Sequence, residues 1–350
     1  MHKDNSRLLV ALIFGGRGYE REVSVKSAEY MLSVMNRELI EPIAVYINTD
    51  GVWLISDEAC PLTDTAGFCR QVIPCFKNGE GGFLSENGFL PIDCAIPALH
   101  GDYGEDGIVQ GALENARIRY VGCDSICGAI CSDKAFTKAI AERLGIPVAR
   151  YVCSNEGEDA ESIAARVEQE LSYPVFVKPA RLGSSIGASD ASSREALIKA
   201  LNKALELSPH VLIEERIDVS MELECAYFGT QKTELFSGVG KIEYPCGFYD
   251  YGAKYGCASI AHTSVGADVS DSIARRIRKY SAALRGALKI RHLSRFDYFL
   301  SATGEIIFNE INTFPGFTES SLYPALIERS GISARDMISL LVSDAVSDRA

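Results

Sequence analysis

The stretch SRFDYFLSATGEIIFNEINTFPGFTESS, residues 294–321, constrains this chain more than any other. Two apolar, strand-like runs flank a glycine-containing turn, which is the pattern of a β-hairpin. Glu310 and Asn312 lie two positions apart, so a pleated strand sends both side chains to one face. A two-residue turn at Thr303-Gly304 would put Asp297 opposite Glu310 and Arg295 opposite Asn312, and a bulge at Gly304 would shift that register. Carboxylates that face each other across a sheet repel unless a cation lies between them. The bland alternative is an exposed hairpin with scattered acids, but unpaired charge embedded in apolar runs is costly. Oxygen-only ligands of this kind suit a hard divalent ion that also holds phosphate, and Mg2+ is the natural candidate.

At 350 residues the chain has material for two or three domains and for more than one core. Asp and Glu number 47 against 35 Lys and Arg, a net charge of -12. That balance disfavours nucleic acid or an anionic membrane as partner, while a local cationic pocket can still take an anionic substrate. The longest early apolar run, Leu8 to Phe14, is too short to span a membrane and leads into charged GGRGYEREVS without a cleavage pattern. It is expected to be a buried first strand, with the mature protein starting near Met1 in the cytoplasm. The 11 cysteines lack paired spacings, as befits reduced cytosolic thiols. Cys123, Cys127 and Cys131 fall along one side of a helix among small apolar neighbours and are expected in the core. The histidines show no metal-type spacing, and no zinc site is expected.

Residues 8–122 alternate strands (Leu8–Phe14, Ile43–Ile47, Cys94–Leu99) with helices (Ser24 to Met35, Ile108 to Ala116), which implies an α/β unit with a mainly parallel sheet. Ligands on such sheets bind beyond the strand C-terminal ends. Two loops occupy those positions, GGRGYERE and HGDYGEDG. A second unit begins near Cys123; Asp133 is expected to cap the helix Lys134 to Leu144, closed by Gly145, and Ser192-x-x-Glu195 to open another. A third unit is expected from around Val211, with a helical tail after Tyr323.

The loop RLGSSIG, 181–187, can fold over phosphates, offering backbone N–H groups and the hydroxyls of Ser184 and Ser185. It is not a Walker A motif, and neither it nor GGRGYE is a dinucleotide fingerprint. An ordinary surface loop is the alternative. Lys178 at the preceding strand and Lys134 at a helix start, with the carboxylate pair, make a triphosphate site from these parts. Glu214, Glu215 and Glu222 could receive adenine and ribose, although single acids of this kind are more often solvated. GFYDYGAKYG, 247–256, reads as a structured loop able to close over a site, with Lys254 and Tyr255 facing a ligand. Glu20, Glu22 and Ser24 stand where the first strand hands over to a helix, a place where acids are often merely dipole-favoured. His100 closes a strand at the same edge.

Taken together, FGGRGYEREVS, LHGDYGEDGIVQG, VFVKPARLGSSIG, FYDYGAKY, SRFD and FNEINTFPGFT resemble, in order and spacing, the D-alanine–D-alanine ligases of the ATP-grasp superfamily. The resemblance covers nearly the whole chain. It implies an α/β (α+β) protein, an ATP-grasp fold preceded by a Rossmann-like N-terminal domain. Its parts are a substrate domain (1–122), a central ATP-grasp subdomain (123–213) and a C-terminal subdomain with the Mg site (214–350). It implies ATP-dependent joining of two D-alanines through an acyl phosphate, for peptidoglycan precursors, in a cytoplasmic homodimer. Glu20 would contact the first D-alanine's ammonium, linked through Ser184 to Tyr255, with His100 near the first substrate. Arg295 and the Gly316 N–H would stabilise the oxyanion. Lys254, Ser321 and Leu322 would hold the second substrate. Lys134, Phe176, Lys178, Ser184, Ser185, Glu214, Glu215, Ile217 and Glu222 would bind ATP. Asp297, Glu310 and Asn312 would ligate two Mg2+ ions, or Mn2+ in their place.

The chain departs from the family wording at four places. Gly18 stands where G-G-x-S-x-E has serine, Ser132 where methionine precedes Asp-Lys, Ser264-Val265 where Pro-Ala is usual, and Glu319 within the usual Ser-His-Ser. The first and last touch the substrate region, so a D-alanine–D-serine ligase of the vancomycin-resistance type is the alternative. Tyr255 and Leu322 favour a small amine nucleophile over D-lactate. Two further alternatives are another ATP-grasp ligase of the carboxylase kind and a non-catalytic nucleotide sensor, for which oxyanion donors would have no use.

Overall fold

The structure is a computed structural model describing residues 7–56, 60–243 and 262–347. Strand β1 (Leu8–Gly15) is apolar throughout because both of its faces are covered. Val10, Leu12 and Phe14 enter one core, and Ala11 and Ile13 another. Helix α1 (Arg21–Val34) follows, then β2 (Ile40–Ile47), β3 (Trp53–Ile55) and β4 (Arg70–Gln71). A separate meander is formed by β5 (Ile73–Lys77), β6 (Glu80–Ser85) and β7 (Gly88–Pro91), after which β8 (Cys94–Pro97) leads to α2 (Ile108–Asn115). The first sheet has the order β4-β3-β2-β1-β8. β1 runs parallel to both β2 and β8, while β3 and β4 extend the edge antiparallel. The expected parallel character thus holds for β2, β1 and β8, and not for β3 and β4. Because β1 and β8 are parallel neighbours, the loops leaving their C-terminal ends lie side by side.

The second unit contains α3 (Ser125–Ser132), α4 (Lys134–Arg143), β9 (Tyr151–Cys153), α5 (Ala160–Glu170), β10 (Val175–Pro179), β11 (Ser189–Ala191), α6 (Arg194–Leu207) and β12 (Val211–Glu215). Its antiparallel sheet is ordered β11-β10-β12-β9. Strand alternation divides the residues cleanly. Val175, Val177, Val211 and Ile213 pack on α5 and α6 through Ile163, Val167, Leu197 and Leu201, and Phe176, Lys178 and Glu214 take the other face. Asp133 caps α4 as expected. The cap of α6 is Ser193, which accepts the Ala196 N–H at 3.3 Å, so the box expected at Ser192 is one residue out. Strand β12 runs through the expected 213/214 boundary within this sheet, and the next sheet starts at Val219 rather than Val211.

That sheet has the order β15-β14-β13-β16-β17. It is built from β13 (Val219–Gly229), β14 (Glu234–Glu243), β15 (His262–Ser264), β16 (His292–Ser301) and β17 (Ile306–Asn312), with α7 (Asp271–Leu288) between β15 and β16. One face buries Leu223, Cys225, Tyr227, Phe296, Tyr298 and Phe308 together with Cys123, Cys127 and Cys131. The three cysteines are therefore core residues. The other face begins apolar, with Phe228 paired to Leu293, and becomes charged two rungs on, with Glu224 paired to Asp297. Helices α8 (Leu322–Arg329) and α9 (Ala334–Ser347) close the chain. Leu326, Met337, Leu341 and Val342 share one core with Val10, Leu12 and Phe14 of the first sheet.

The β16–β17 hairpin pairs Asp297 with Glu310 and Arg295 with Asn312, as expected. The route there differs. The turn is not the two-residue Thr303-Gly304: Leu300 pairs with Ile306, the Ser301 N–H bonds the Glu305 carbonyl, and Gly304 adopts φ 83°. This is a longer loop closed by a left-handed glycine. It offsets the ladder by one residue, and a bulge at Asn309 between Tyr298 and Asp297 restores it. Two one-residue irregularities cancel.

Candidate active site

A row of carboxylates crosses three adjacent strands: Glu224 on β13, Asp297 on β16 and Glu310 on β17. Arg295 sits within it. Its Nε and Nη2 donate to the two Asp297 oxygens, each at 2.7 Å, and Nε lies 3.2 Å from Glu224 Oε1. Asn312 Nδ2 donates to Asp297 Oδ2 at 3.0 Å. Burial pushes the Glu224 carboxyl up to about 8 against the pull of Arg295. Asp297 is raised by burial and by the nearby Glu310 charge. Glu310 moves the other way, because Lys134, Lys178 and Arg295 outweigh its burial.

A lysine cradle faces the β17 end of the row. Lys134 Nζ is 3.2 Å from Glu310 and donates to the Leu182 carbonyl at 2.9 Å. Lys178 bonds Asn309 Oδ1 at 3.2 Å and pairs with Glu214 at 2.8 Å. The second Glu214 oxygen takes Lys138 at 2.6 Å. Burial alone would neutralise these groups. Instead Glu214, opposed by burial but charged by Lys138 and Lys178, drops to about 2, and burial lowers Lys178 to about 8. Phe176 shares their face as the cross-strand partner of Glu214. Glu215, Ile217 and Glu222 are half-buried along the passage from β12 to β13.

The loop after β10 reaches across to the first domain. Ser184 and Ser185 are exposed and both left-handed, at φ 48° and 55°, a conformation residues other than glycine rarely adopt. Ser184 Oγ donates to Glu20 Oε1, whose carboxyl is raised by burial despite that bond. Gly183 also borders Glu20: a Cβ there would lie 3.1 Å from Oε2. Glu20 stands at the start of α1, where Ser24 Oγ accepts the Gly15 N–H and donates to the Ala98 carbonyl.

His100 is buried, with both ring nitrogens engaged. Nδ1 is 3.0 Å from the Phe314 carbonyl and Nε2 is 2.8 Å from Ser27 Oγ. A carbonyl can only accept, so Nδ1 donates to it, and in the neutral ring Nε2 accepts from Ser27. Ser27 Oγ in turn accepts the Phe317 N–H at 3.2 Å, and Glu105 Oε2 accepts the Phe314 N–H at 3.3 Å. The HGDYGEDG and FPGF loops are thereby fastened together. Gly316 lies against Ser321, where a Cβ would approach Oγ to 3.2 Å. Ser321 Oγ accepts the Thr318 N–H at 3.0 Å. Leu322 points into the core beneath Gly240. Lys254 and Tyr255 lie outside the described residues.

The structure thus gathers Lys134, Lys178, Arg295, Asp297, Glu310 and Asn312 in one place and joins Glu20 to Ser184. It also adds three residues. Lys138, one helical turn beyond Lys134, could have been inferred from that spacing, and Glu224 from its step of two after Glu222. Asn309 had no such signal, since it depends on the bulge.

Asp297, Glu310 and the Asn312 amide share one face and offer oxygen donors with an excess of negative charge, a set that fits a hard divalent cation. Among the described residues no group of three or more His, Cys, Asp or Glu side chains gathers to hold a metal without the help of such an amide. Asp297 Oδ2 accepts from both Arg295 and Asn312, while Oδ1 accepts from Arg295 alone and keeps a lone pair on that side.

Two family models match the chain: D-ala D-ala ligase N-terminus over residues 9–123 and D-ala D-ala ligase C-terminus over residues 140–343. A D-alanine–D-alanine ligase of Acetivibrio thermocellus is 38% identical, covering 98% of this chain and 96% of its own. One from Thermoanaerobacter sp. (strain X514) is 36% identical, with 96% of each covered. Among solved structures, the D-alanine-D-alanine ligase of Coxiella burnetii superposes with a TM-score of 0.85 at 26% identity, covering 97% of this chain and 94% of that one. The VanG D-Ala:D-Ser ligase of Enterococcus faecalis gives 0.86 at 31%, covering 97% and 99%.

Proposed function

The chain belongs to the D-alanine–D-alanine ligase family, and from that premise we propose how its own residues serve the reaction. It is an ATP-dependent ligase of the ATP-grasp fold that joins two D-alanines through an acyl phosphate in peptidoglycan precursor synthesis. Curated relatives of this activity at about the same identity over nearly the full length favour D-alanine over D-serine as second substrate. Small molecules, ATP and D-alanine, are its partners, and it uses a divalent metal.

The Glu20 carboxylate receives the ammonium of the first D-alanine and is held in direction by the Ser184 hydroxyl. Lys134 and Lys178 attract the ATP phosphates from two elements, and Ser184 and Ser185 cover them. Phe176, Glu214, Glu215, Ile217 and Glu222 line the nucleoside end. Asp297, Glu310 and Asn312 hold the metal, two Mg2+ ions in this proposal, which supplies positive charge where the phosphate charge concentrates. Arg295 and the Gly316 N–H donate to the oxygen that becomes negative when the second amine attacks the acyl carbon, so they act only as charge develops. Tyr255, Lys254, Ser321 and the backbone of Leu322 border the second substrate, and His100 keeps the FPGF loop in register with the first. Among the described residues no helix is long and apolar enough to cross a membrane. A cytoplasmic homodimer completes the proposal.

The single observation that carries this assignment of roles is the Glu224–Asp297–Glu310 row with Arg295 inside it and two lysines, Lys134 and Lys178, at its β17 end. The deciding experiment supplies purified protein with ATP, Mg2+ and D-alanine, alone or with D-serine or D-lactate, and follows phosphate release. D-Alanine alone should suffice, and Glu310→Gln should abolish release. Turnover retained by that variant removes the metal assignment.

A further inference from the structure

The turns that leave β1 and β8 meet in three successive contacts, running in opposite directions. The Arg17 guanidinium lies over the Tyr103 ring, 4.5 Å from its centroid. Gly18 faces Asp102 so closely that a Cβ would stand 2.6 Å from the Asp102 carbonyl oxygen and 2.8 Å from Oδ1. Gly101 faces Glu20, and a Cβ there would collide with Oε2. Asp102 is half-buried at the middle contact, where burial raises its carboxyl above the ordinary value against the bonds it accepts from the N–H groups of Asp102 and Tyr19. The Gly101 N–H is itself tied to Glu105 Oε1 at 3.1 Å.

We propose that Asp102, seated on Gly18, is a positioning residue for the ligase reaction: it latches the turn that ends in Glu20 and so sets the carboxylate that receives the first amino acid. This rests on the role proposed above for Glu20. It also gives a physical reason for glycine at position 18, where the family wording has serine, since a hydroxymethyl group has no room beside Asp102. Backbone packed on backbone leaves little slack, so a displaced Gly18 is felt two residues later at Glu20. The alternative is a loop contact with no bearing on the substrate.

The test uses the full chain with Asp102→Asn, Asp102→Ala, Gly18→Ala and the double alanine variant. Asp102→Ala should raise the D-alanine KM about fivefold to tenfold, roughly the worth of one hydrogen bond, with the ATP KM within about twofold. Asp102→Asn keeps an acceptor oxygen and should stay close to the parent. Gly18→Ala should resemble Asp102→Ala, and the double variant should cost far less than the product of the two, because both open one contact. Losses that multiply, a D-alanine KM unmoved by Asp102→Ala, or an ATP KM that moves with it would overturn the proposal. Turnover of D-alanine by the parent tests the underlying reading separately. Amide exchange at Tyr19 reads the latch without turnover: Asp102→Ala should speed it, and an unchanged rate sinks the latch.

Discussion

Arg295 Nε lies 3.2 Å from Glu224 Oε1, joining β16 to β13 from inside the carboxylate row. Glu224 is only 3% exposed, and its other oxygen makes no hydrogen bond among the described residues. A buried carboxylate with one partner depends on that partner. Arg295 has a second hold, the paired bonds it donates to Asp297. Glu224 is thus the guanidinium's contact on the β13 side, and Asp297 its contact on its own strand.

Glu224→Gln should therefore slow the chemical step above about pH 8, where the buried carboxyl ionises, while leaving binding alone. Losing the charge on one hydrogen-bonded partner is worth ~1.5–3 kcal/mol, or about tenfold to a hundredfold in kcat. Steady-state kinetics should show that fall relative to the parent at about pH 9, with little change at about pH 7 and both KM values within about twofold of the parent. An unchanged kcat would mean that Asp297 alone orients Arg295.

The Lys178 ammonium, lowered by burial to about 8, should make ATP binding sensitive to mild alkali. The groups around it act in both directions: Glu214 favours its charge, and Lys138 and Lys134 oppose it. A base with a depressed pKa loses its proton as pH rises through that value, so the ATP KM should climb above about pH 8. Lys178→Arg, which stays charged, should flatten that limb. Below pH 8 the charged lysine is held at a cost to folding. Between about 8 and the unfolded value of 10.5 that cost fades, and stability should rise with pH. Urea midpoints of the parent and Lys178→Arg at pH 7 and pH 9.5 give the comparison.

Deleting Asn309 should be far more damaging than replacing it. Removal of the bulge slips the ladder by one residue and turns Glu310 and Asn312 to the opposite face of β17. Phosphate release should disappear. Asn309→Ala keeps the residue count and loses only the 3.2 Å contact with Lys178. A severalfold rise in the ATP KM, about 1 kcal/mol of hydrogen bonding, is the expected limit. Equal effects from the two changes would show that register does not depend on the bulge.

Much of this was legible in the residue pattern, for identifiable reasons. Strands buried on both faces, such as β1, announce themselves as unbroken apolar runs. Glu310 and Asn312 could be placed on one face because side chains alternate whatever the turn does. The pairing of Asp297 with Glu310 was anticipated through a turn that does not exist and came out right because the Asn309 bulge compensates for it. Local chemistry was harder. The cap at Ser193 competed with its neighbour Ser192, and periodicity cannot separate adjacent serines. Glu214 could not be told from a solvated acid, because the lysines that bury it come from α4 and β10, 76 and 36 positions away (214 − 138 and 214 − 178). Asp102 carried no pattern at all until the two turns were seen in contact.

The core shared by β1 and α9 ties the beginning of the polypeptide to its end. As the chain emerges from the ribosome, Val10, Leu12 and Phe14 meet Ala28, Met31, Tyr46 and Phe68 early, and Met337, Leu341 and Val342 join that core last. A first domain made alone lacks the part of its core that α8 and α9 supply. A nascent chain halted after residue 122 would hold an open apolar sheet face, vulnerable to aggregation and to proteases.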